Sequence, residues 1–364
     1  MTEYTRRSLL ATLGAVGTAS IGGCLTQLTG GPRHERVAWR RSPEGTIGSL
    51  AVVDGALVAL TTWRTLAFDP GTGDERWRVL LDDPGDTVCY DAGLAGATGP
   101  DGRPLAVVAG CDGTRAFEHL EGTQVWGRPD ASSLAPIAAT DDAVYLSEGG
   151  VTAVDAADGS VRWRALEGDV STAGATSDAV YVGRADGTLH ALSAADGSER
   201  WSTDVGPGRV ERPTAVDGTV YVPTGRPDDD SGDLFALSAA DGSEQWRVDT
   251  GQALSDSRPV LAGDTVLVGT ASGSLHAHRR DTGERRWRFD AEDWLVTQPA
   301  VGPDGATAYV GSNDGNAYAV SMADGSEQWT VPVGYSSVAP VVRGDRVFVG
   351  SHDGLFALRR GELE

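Results

Sequence analysis

Two arginines stand before prolines in matching phrases, and their spacing could build an anion site. Arg212 lies in VERPT and Arg258 in DSRPV, each just ahead of a short β-rich run, and Gln298 holds the same place in the next such unit. If these units are neighbours in space, two adjacent guanidiniums offer paired N–H donors to a carboxylate or phosphate. The alternative is that they pair with Glu211 or Asp256 of their own chain.

Histidine and aspartate residues occur in two patterns that could bind a metal ion. His276 and His278 alternate along one predicted strand and so point the same way, as two zinc ligands would. No third ligand accompanies them, which favours packing. The loop GRPDDDSGD places Asp228, Asp230 and Asp233 as oxygen ligands of the kind that calcium takes, but without the full EF-hand pattern. The sequence therefore predicts no metal site.

Cysteine chemistry rests on one pair. Cys89 and Cys111 fall at the same end of one predicted repeat unit. In an oxidising compartment they would form a disulfide that contributes about 3 kcal/mol in the chain-entropy model, and two free thiols are the alternative. No Gly-rich phosphate loop or Ser-His-Asp arrangement tied to a motif is present, so no catalytic residue is assigned.

A repeated phrase shows which elements position these residues. LHALSAADGSERW (189–201) returns as LFALSAADGSEQW (234–246) and more loosely as AYAVSMADGSEQW (317–329). Two short β-rich runs precede each copy, so a unit reads as strands A, B, C and D, with tryptophan on D. The spacing is typical of a four-stranded β-propeller blade. The repeated tryptophans are Trp39, Trp77, Trp126, Trp163, Trp201, Trp246, Trp287 and Trp329.

Two small residues recur at fixed distances before tryptophan. A glycine four positions earlier supplies the positive φ of a tight C–D hairpin: Gly73, Gly122, Gly159, Gly197, Gly242, Gly283 and Gly325. An alanine ten positions earlier is predicted where neighbouring sheets approach most closely: Ala67, Ala116, Ala153, Ala191, Ala236, Ala277 and Ala319. The tryptophan offers a large apolar surface to the next blade.

The ends of the chain predict how the ring closes. Trp39, in ERVAWRR, has no A, B or C strand before it, whereas the last unit supplies those strands and stops before its expected tryptophan. The N-terminal strand should therefore complete the last blade. We predict an all-β fold, an eight-bladed β-propeller over residues 35–364. A seven-bladed ring or an open solenoid would leave a half-unit with an exposed edge.

Aromatic residues outside the repeated phrase gather on one predicted face. The D–A connections and B–C turns of a propeller share a face. Trp63, Tyr90, Trp294 and Tyr335 all fall in such segments, in blades 1, 2, 7 and 8. An arc of exposed aromatics predicts a protein-partner surface. The alternative is that these side chains cap the central channel and contact only their own chain.

The blade phrase resembles the repeat of pyrroloquinoline-quinone (PQQ)-type eight-bladed propellers. One branch of that family is formed by dehydrogenases that use PQQ and calcium, and it implies an adjacent Cys-Cys pair. No cysteines are adjacent here, and no catalytic residue can be matched. The other branch contains non-catalytic proteins such as the BamB lipoproteins and sensor propellers. The resemblance therefore implies a binding scaffold without a cofactor. The alternatives are a reduced dehydrogenase that uses PQQ and calcium, and a sensor that binds a small anion in the channel.

The strongly acidic composition argues against nucleic acids as partners and is typical of a salt-rich environment. The net charge is −22, and every one of the 30 basic residues is arginine. A polyanion would be repelled, so nucleic-acid binding is not expected. An acidic, lysine-free composition is typical of proteins from salt-loving archaea, where ions screen the carboxylates. A GC-rich genome is the alternative origin of the lysine deficit.

The N-terminal segment is interpreted as a targeting signal. Residues 1–23 combine Arg6-Arg7 with a short apolar run, which indicates a twin-arginine-type signal peptide. Cys24 ends a lipobox-like IGGC and is the predicted lipidation site, with residues 24–34 as a tether. An uncleaved signal anchor is the alternative. We therefore expect an exported monomer on the outer face of the cytoplasmic membrane that binds a protein partner.

Overall fold

A computed structural model describes most of the chain after the predicted tether. The described residues are 34–62, 64–80, 93–110, 113–129, 136–168, 170, 172–226, 231–254, 258–295, 298–336 and 338–361. Several predicted features lie outside them: residues 1–23, the tether up to residue 33, Cys24, Trp63, Cys89, Tyr90, Cys111, Asp228, Asp230 and Asp256.

The described residues between 34 and 361 belong to one compact unit and form eight antiparallel sheets. Within each sheet the four strands A, B, C and D pair in that order. Blade 1 contains β2 (Ile47–Val53), β3 (Ala56–Thr61), β4 (Arg64–Phe68) and β5 (Glu75–Leu80). Blade 2 contains β6 (Gly93–Thr98), β7 (Pro104–Gly110), β8 (Gly113–Glu118) and β9 (Gln124–Arg128), with a 3₁₀ turn at Pro100–Gly102. Blade 3 contains β10 (Pro136–Ala139), β11 (Ala143–Ser147), β12 (Val151–Asp155) and β13 (Val161–Ala165). Blade 4 contains β14 (Thr172–Ala175), β15 (Ala179–Gly183), β16 (Thr188–Ser193) and β17 (Glu199–Asp204).

The second half of the ring repeats this order. Blade 5 splits its A strand into β18 (Arg209–Val210) and β19 (Thr214–Val216), followed by β20 (Thr219–Gly225), β21 (Asp233–Ser238) and β22 (Glu244–Asp249). Blade 6 contains β23 (Val260–Ala262), β24 (Thr265–Gly269), β25 (Ser274–Arg279) and β26 (Arg285–Asp290). Blade 7 contains β27 (Ala300–Val301), β28 (Thr307–Gly311), β29 (Asn316–Ser321) and β30 (Glu327–Pro332). Blade 8 contains β31 (Val341–Arg343), β32 (Arg346–Ser351) and β33 (Gly354–Arg359).

The N-terminal strand closes the ring as predicted. β1 (Val37–Arg41) pairs antiparallel with β33, and Trp39 lies opposite Ala357. The first and last segments therefore share blade 8, and the eight-bladed all-β fold is confirmed. Closure in this way leaves the ring without an unpaired half-blade.

A tryptophan joins each of seven blades to the next one around the ring. Its ring packs on the hairpin glycine of the following blade, where φ is 69–76° and an added Cβ would lie 2.5–2.8 Å from a ring carbon. Its indole N–H donates to the carbonyl three residues before that glycine, at 2.7–3.1 Å. The glycine is therefore needed both for the turn and for the room that the neighbouring tryptophan takes.

The eighth junction, between blades 7 and 8, is built differently. Blade 8 has no C–D hairpin, because its C and D strands come from opposite ends of the chain. The indole N–H of Trp329 has no hydrogen-bond partner among the described residues. Arg36 covers that ring instead, with its guanidinium carbon 5.2 Å from the ring centroid. A cation–π contact thus replaces the hairpin at this position.

The hydrophobic core lies between blades. Ala116 and Trp126 of blade 2, for example, form one buried cluster with Val144, Leu146 and Val154 of blade 3. All seven predicted alanines are completely buried. A larger side chain at these positions would push neighbouring sheets apart, as expected from the repeat.

Candidate partner-binding face

The D–A connections and B–C turns meet on one side of the ring, which we call the upper face. The antiparallel order of each blade places both kinds of segment at the same end of the strands. Backbone hydrogen bonds join them: Asn313 N–H donates to the Trp294 carbonyl at 3.0 Å, and His352 N–H donates to the Tyr335 carbonyl at 2.9 Å. Segments that carry two of the predicted aromatics are therefore fixed to the following blade.

Trp294 lies on the upper face at blade 7 with its side chain in solvent. The residue is 57% exposed, whereas the next residue, Leu295, is 2% exposed and packs in the core. Its own N–H donates to Asp293 Oδ1 at 2.8 Å. The backbone on both sides of Trp294 is fixed by hydrogen bonds and core packing, while the indole stays accessible. This arrangement favours binding, because ordering the segment would cost little additional conformational entropy.

Tyr335 shows the same arrangement at blade 8. Its side chain is 51% exposed and rests edge-on against His352, with ring centroids 5.5 Å apart. The following Ser336 is fully buried and donates from Oγ to the Gly350 carbonyl at 2.9 Å. Trp294 and Tyr335 are therefore surface residues, and the predicted partner-binding role is left open. Trp63 and Tyr90, the other members of the predicted arc, lie outside the described residues.

Leu80, which sequence reasoning missed, extends this surface into blade 1. It ends β5 on the upper face and is 66% exposed. The equivalent last residue of strand D is Asp204 in blade 4, Asp249 in blade 5 and Asp290 in blade 6. The sequence feature that could have identified Leu80 is a leucine at a position where three other blades have aspartate. The exposed apolar residues therefore occupy three consecutive blades: 7, 8 and 1.

Carboxylates surround the Trp294 end of this surface. Asp314 accepts a hydrogen bond from the Glu292 N–H at 3.3 Å and from the Tyr318 hydroxyl at 2.6 Å. Burial, and then the Asp314 carboxylate, raise the pKa of Tyr318. Together with Asp293, these groups make the edge acidic. A partner side chain that reaches Trp294 would meet an apolar ring bordered by negative charge.

The two candidate anion-binding arginines lie on the same face in blades 5 and 6. Arg212 is exposed and Arg258 half-buried, and Gln298 of blade 7 is also half-buried. Burial first, and then the charge of Arg212, lower the pKa of Arg258. Of the suggested internal partners, Glu211 lies 4.0 Å from Arg209, and Asp256 is outside the described residues.

Two of the metal candidates, Asp233 and His278, have other partners in the described part of the chain. Asp233 Oδ2 pairs with Arg226 at 2.6 Å. His278 Nδ1 is 2.8 Å from the Gly283 carbonyl, and His276 has neither ring nitrogen bonded within the described part of the chain. That part contains no group of three or more His, Cys, Asp or Glu residues arranged to hold a metal ion.

A cavity that the sequence did not indicate lies at the seam between blades 8 and 1. Its volume is about 390 Å³, and it opens on the lower face, where the A–B and C–D turns meet. Charged side chains line much of it: Asp69, Arg76, Arg343, Asp345 and Arg346. The cavity forms only when the two chain ends meet, so no local sequence pattern records it.

No helix among the described residues is long and apolar enough to cross a bilayer. A curated relative from Shewanella oneidensis, "Outer membrane protein assembly factor BamB", is 29% identical over 113 residues. That match covers 27% of this chain and 29% of the relative, so the chain spans less than a third of the relative's length.

Solved structures share the fold. BamB from Moraxella catarrhalis superimposes with a TM-score of 0.70 at 19% identity, covering 88% of this chain and 98% of that one. The computationally designed protein Ika8 gives the same TM-score and coverage at 15% identity. The sequence also matches the family described as "Outer membrane protein assembly factor BamB" over residues 29–166, 147–291 and 230–362. Because these matches span the whole propeller, the chain belongs to that family.

Proposed function

We propose that this chain is a non-catalytic protein-binding scaffold whose upper face holds a protein partner. The observation that carries the proposal is the pairing of exposed apolar side chains with a fixed backbone at Trp294 and Tyr335. Trp63 and Tyr90 would extend the contact into blades 1 and 2. The relative and the family that are named for outer membrane protein assembly support a partner that is itself a protein.

Large, rigid side chains favour this role. Trp and Tyr are enriched among the residues that dominate binding energies, because they bury much area with few rotatable bonds. Leu80 adds apolar area beside them. The acidic border at Glu292, Asp293 and Asp314 selects for a partner segment that carries basic groups next to its apolar ones.

The location of the scaffold is part of the proposal. Export by the Arg6-Arg7 signal and a lipid on Cys24 would place the propeller on the outer face of the cytoplasmic membrane. Two acyl chains on one cysteine suffice for stable anchoring. The acidic composition suits a salt-rich exterior such as that of a halophilic archaeon, and we propose that the protein acts there as a monomer.

We expect a Trp294→Ala/Tyr335→Ala variant to lose at least one membrane partner by tenfold or more, because these two large side chains are the proposed anchors of the contact. The test is in-cell cross-linking of the full tagged chain in its native host, followed by quantitative mass spectrometry of the co-purified proteins. Leu120→Ala is the matched control, since Leu120 is 49% exposed but lies on the lower face. Both variants should remain folded, because surface substitutions usually change stability by about 0.5 kcal/mol or less. Equal recovery of every partner from the double variant would refute the aromatic surface.

A reduced PQQ-dependent dehydrogenase is the second candidate, favoured only by the arginine pair at the channel. The described residues fit that cofactor set poorly, because they offer no cluster of three ligands for calcium and the chain contains no adjacent cysteines. We expect equilibrium dialysis of the folded chain in high salt, against PQQ with and without calcium, to give no saturable retention. Calcium-dependent retention that Arg258→Ala abolishes would reverse this assignment in favour of the enzyme.

A further inference from the structure

Arg212 and Arg258 lie just before neighbouring inner strands, at the upper mouth of the channel. Arg212 directly precedes Pro213 and β19, and Arg258 directly precedes Pro259 and β23. The two segments are joined by a hydrogen bond from Thr214 Oγ1 to the Pro259 carbonyl, 2.9 Å long. The backbone therefore fixes both arginines in equivalent positions on adjacent blades.

The two arginines lie at the same mouth of the channel but differ in exposure. Arg258 is half-buried and Arg212 is exposed, and the charge of Arg212 acts on Arg258. Two like charges on adjacent blades, one of them partly withdrawn from water, repel each other, and an anion bound between them would relieve that repulsion. The equivalent position in blade 7 holds Gln298, whose amide can also donate.

Several other arginines of these blades have carboxylate partners. Arg226 pairs with Asp233 at 2.6 Å, and Arg280 pairs with Asp217 at 2.9 Å. Neither Arg212 nor Arg258 has an ion pair or hydrogen bond to any other residue in the described ranges. Among the described residues, this pair therefore has no carboxylate partner that would compete with a bound anion.

We propose that Arg212 and Arg258, with Gln298 beside them, bind a carboxylate group at the upper mouth of the channel. Parallel guanidinium N–H groups match the two oxygens of a carboxylate, and charge-assisted bonds of this kind are the strong ones. The carboxylate comes from an acidic side chain or the C-terminus of a protein bound across Trp294 and Tyr335, or from a free organic acid. The first source rests on the proposed function, whereas the second does not.

The site itself is tested with succinate on the full folded chain at fixed chloride, by NMR of the arginine Nε–Hε signals. We expect saturable shifts, and an affinity lowered about tenfold or more in Arg212→Gln and in Arg258→Gln, because each loses a charge-assisted bond. Arg209→Gln is the matched control, since Arg209 lies nearby in blade 5 but pairs with Glu211. It should keep the affinity of the unaltered chain.

Several outcomes would overturn the site. These are the absence of saturable shifts, unchanged affinity in Arg258→Gln, or equal shifts when sodium chloride replaces succinate. An Asp256→Asn variant that alone gains succinate binding would show that the pair is neutralised internally.

The cross-linking experiment, repeated with Arg212→Gln/Arg258→Gln, distinguishes the two sources. Loss of the Trp294-dependent partner together with succinate binding identifies a protein carboxylate, whereas an unchanged partner list with succinate binding identifies a free acid. Succinate binding that persists when no partner depends on Trp294 refutes the scaffold and leaves the carboxylate site standing. A Trp294-dependent partner without succinate binding supports the scaffold and refutes the carboxylate site.

Discussion

Gly197→Ala is expected to lower the free energy of unfolding by about 2–5 kcal/mol, the largest effect that we predict for a single methyl group in this chain. Gly197 has φ of 73°, and an added Cβ would lie 2.5 Å from Cε3 of Trp163. The ring cannot move aside freely, because its indole N–H is bonded to the Ala194 carbonyl at 2.9 Å. The substitution therefore strains the turn and separates blade 3 from blade 4.

Gly218→Ala separates these two causes. Gly218 also has positive φ, 78°, but nothing lies within 4 Å of a Cβ added there. Its cost should be the conformational one alone, about 1 kcal/mol. Guanidinium unfolding of both variants and the unaltered chain, at one fixed salt concentration, gives the comparison. Equal losses in the two variants would contradict the role of the tryptophan contact.

His276 is expected to make the fold sensitive to mild acid. The residue is fully buried, and neither ring nitrogen has a hydrogen-bond partner within the described residues. Burial first, and then the charges of His278, Arg285 and Arg288, lower its pKa from 6.5 to about 4. The folded state therefore holds His276 neutral in a range where the unfolded chain takes up a proton.

The sign of the effect follows from that lowered pKa. The stability is fully present above pH 6.5 and is lost progressively as the pH falls towards about 4, where the total loss reaches about 3 kcal/mol. His276→Phe should remove this part of the pH dependence. Phenylalanine suits the position, because Phe235 occupies the equivalent position in blade 5. There the guanidinium carbon of Arg247 lies 5.6 Å from the centroid of the phenyl ring.

The measurement is the difference in unfolding free energy between the unaltered chain and His276→Phe at pH values from 7.5 to 5. Carboxylates titrate in both proteins, so their contribution cancels in the difference. We expect the variant to gain about 2 kcal/mol relative to the unaltered chain by pH 5. A difference that stays constant across this range would show that His276 does not couple to protons.

The candidate site was predictable only in part. The sequence identified Trp294 and Tyr335 as candidates because they lie outside the repeated phrase. It identified Arg212 and Arg258 because they occupy equivalent positions in successive repeat units. It gave no reason to choose Leu80 until the pairing register placed it where other blades hold Asp204, Asp249 and Asp290. Whether an aromatic ring caps the channel or faces water depends on packing between segments far apart in the chain, which local patterns do not record.

The sequence by itself determined the number of blades, the strand order, the hairpin glycines and the closure by β1, because each of these is written in local periodicity and repeated in every unit. Only the tertiary structure decided how one blade holds the next. Seven of the eight repeated tryptophans bond to a carbonyl roughly one repeat further along the chain, so the contact exists only after adjacent blades stack. Three other features also exist only in the closed ring: the contact of Arg36 with Trp329, the cavity at the seam between blades 8 and 1, and the placement of Arg212 and Arg258 on adjacent blades. These features arise from ring closure, which brings together residues that no local pattern relates.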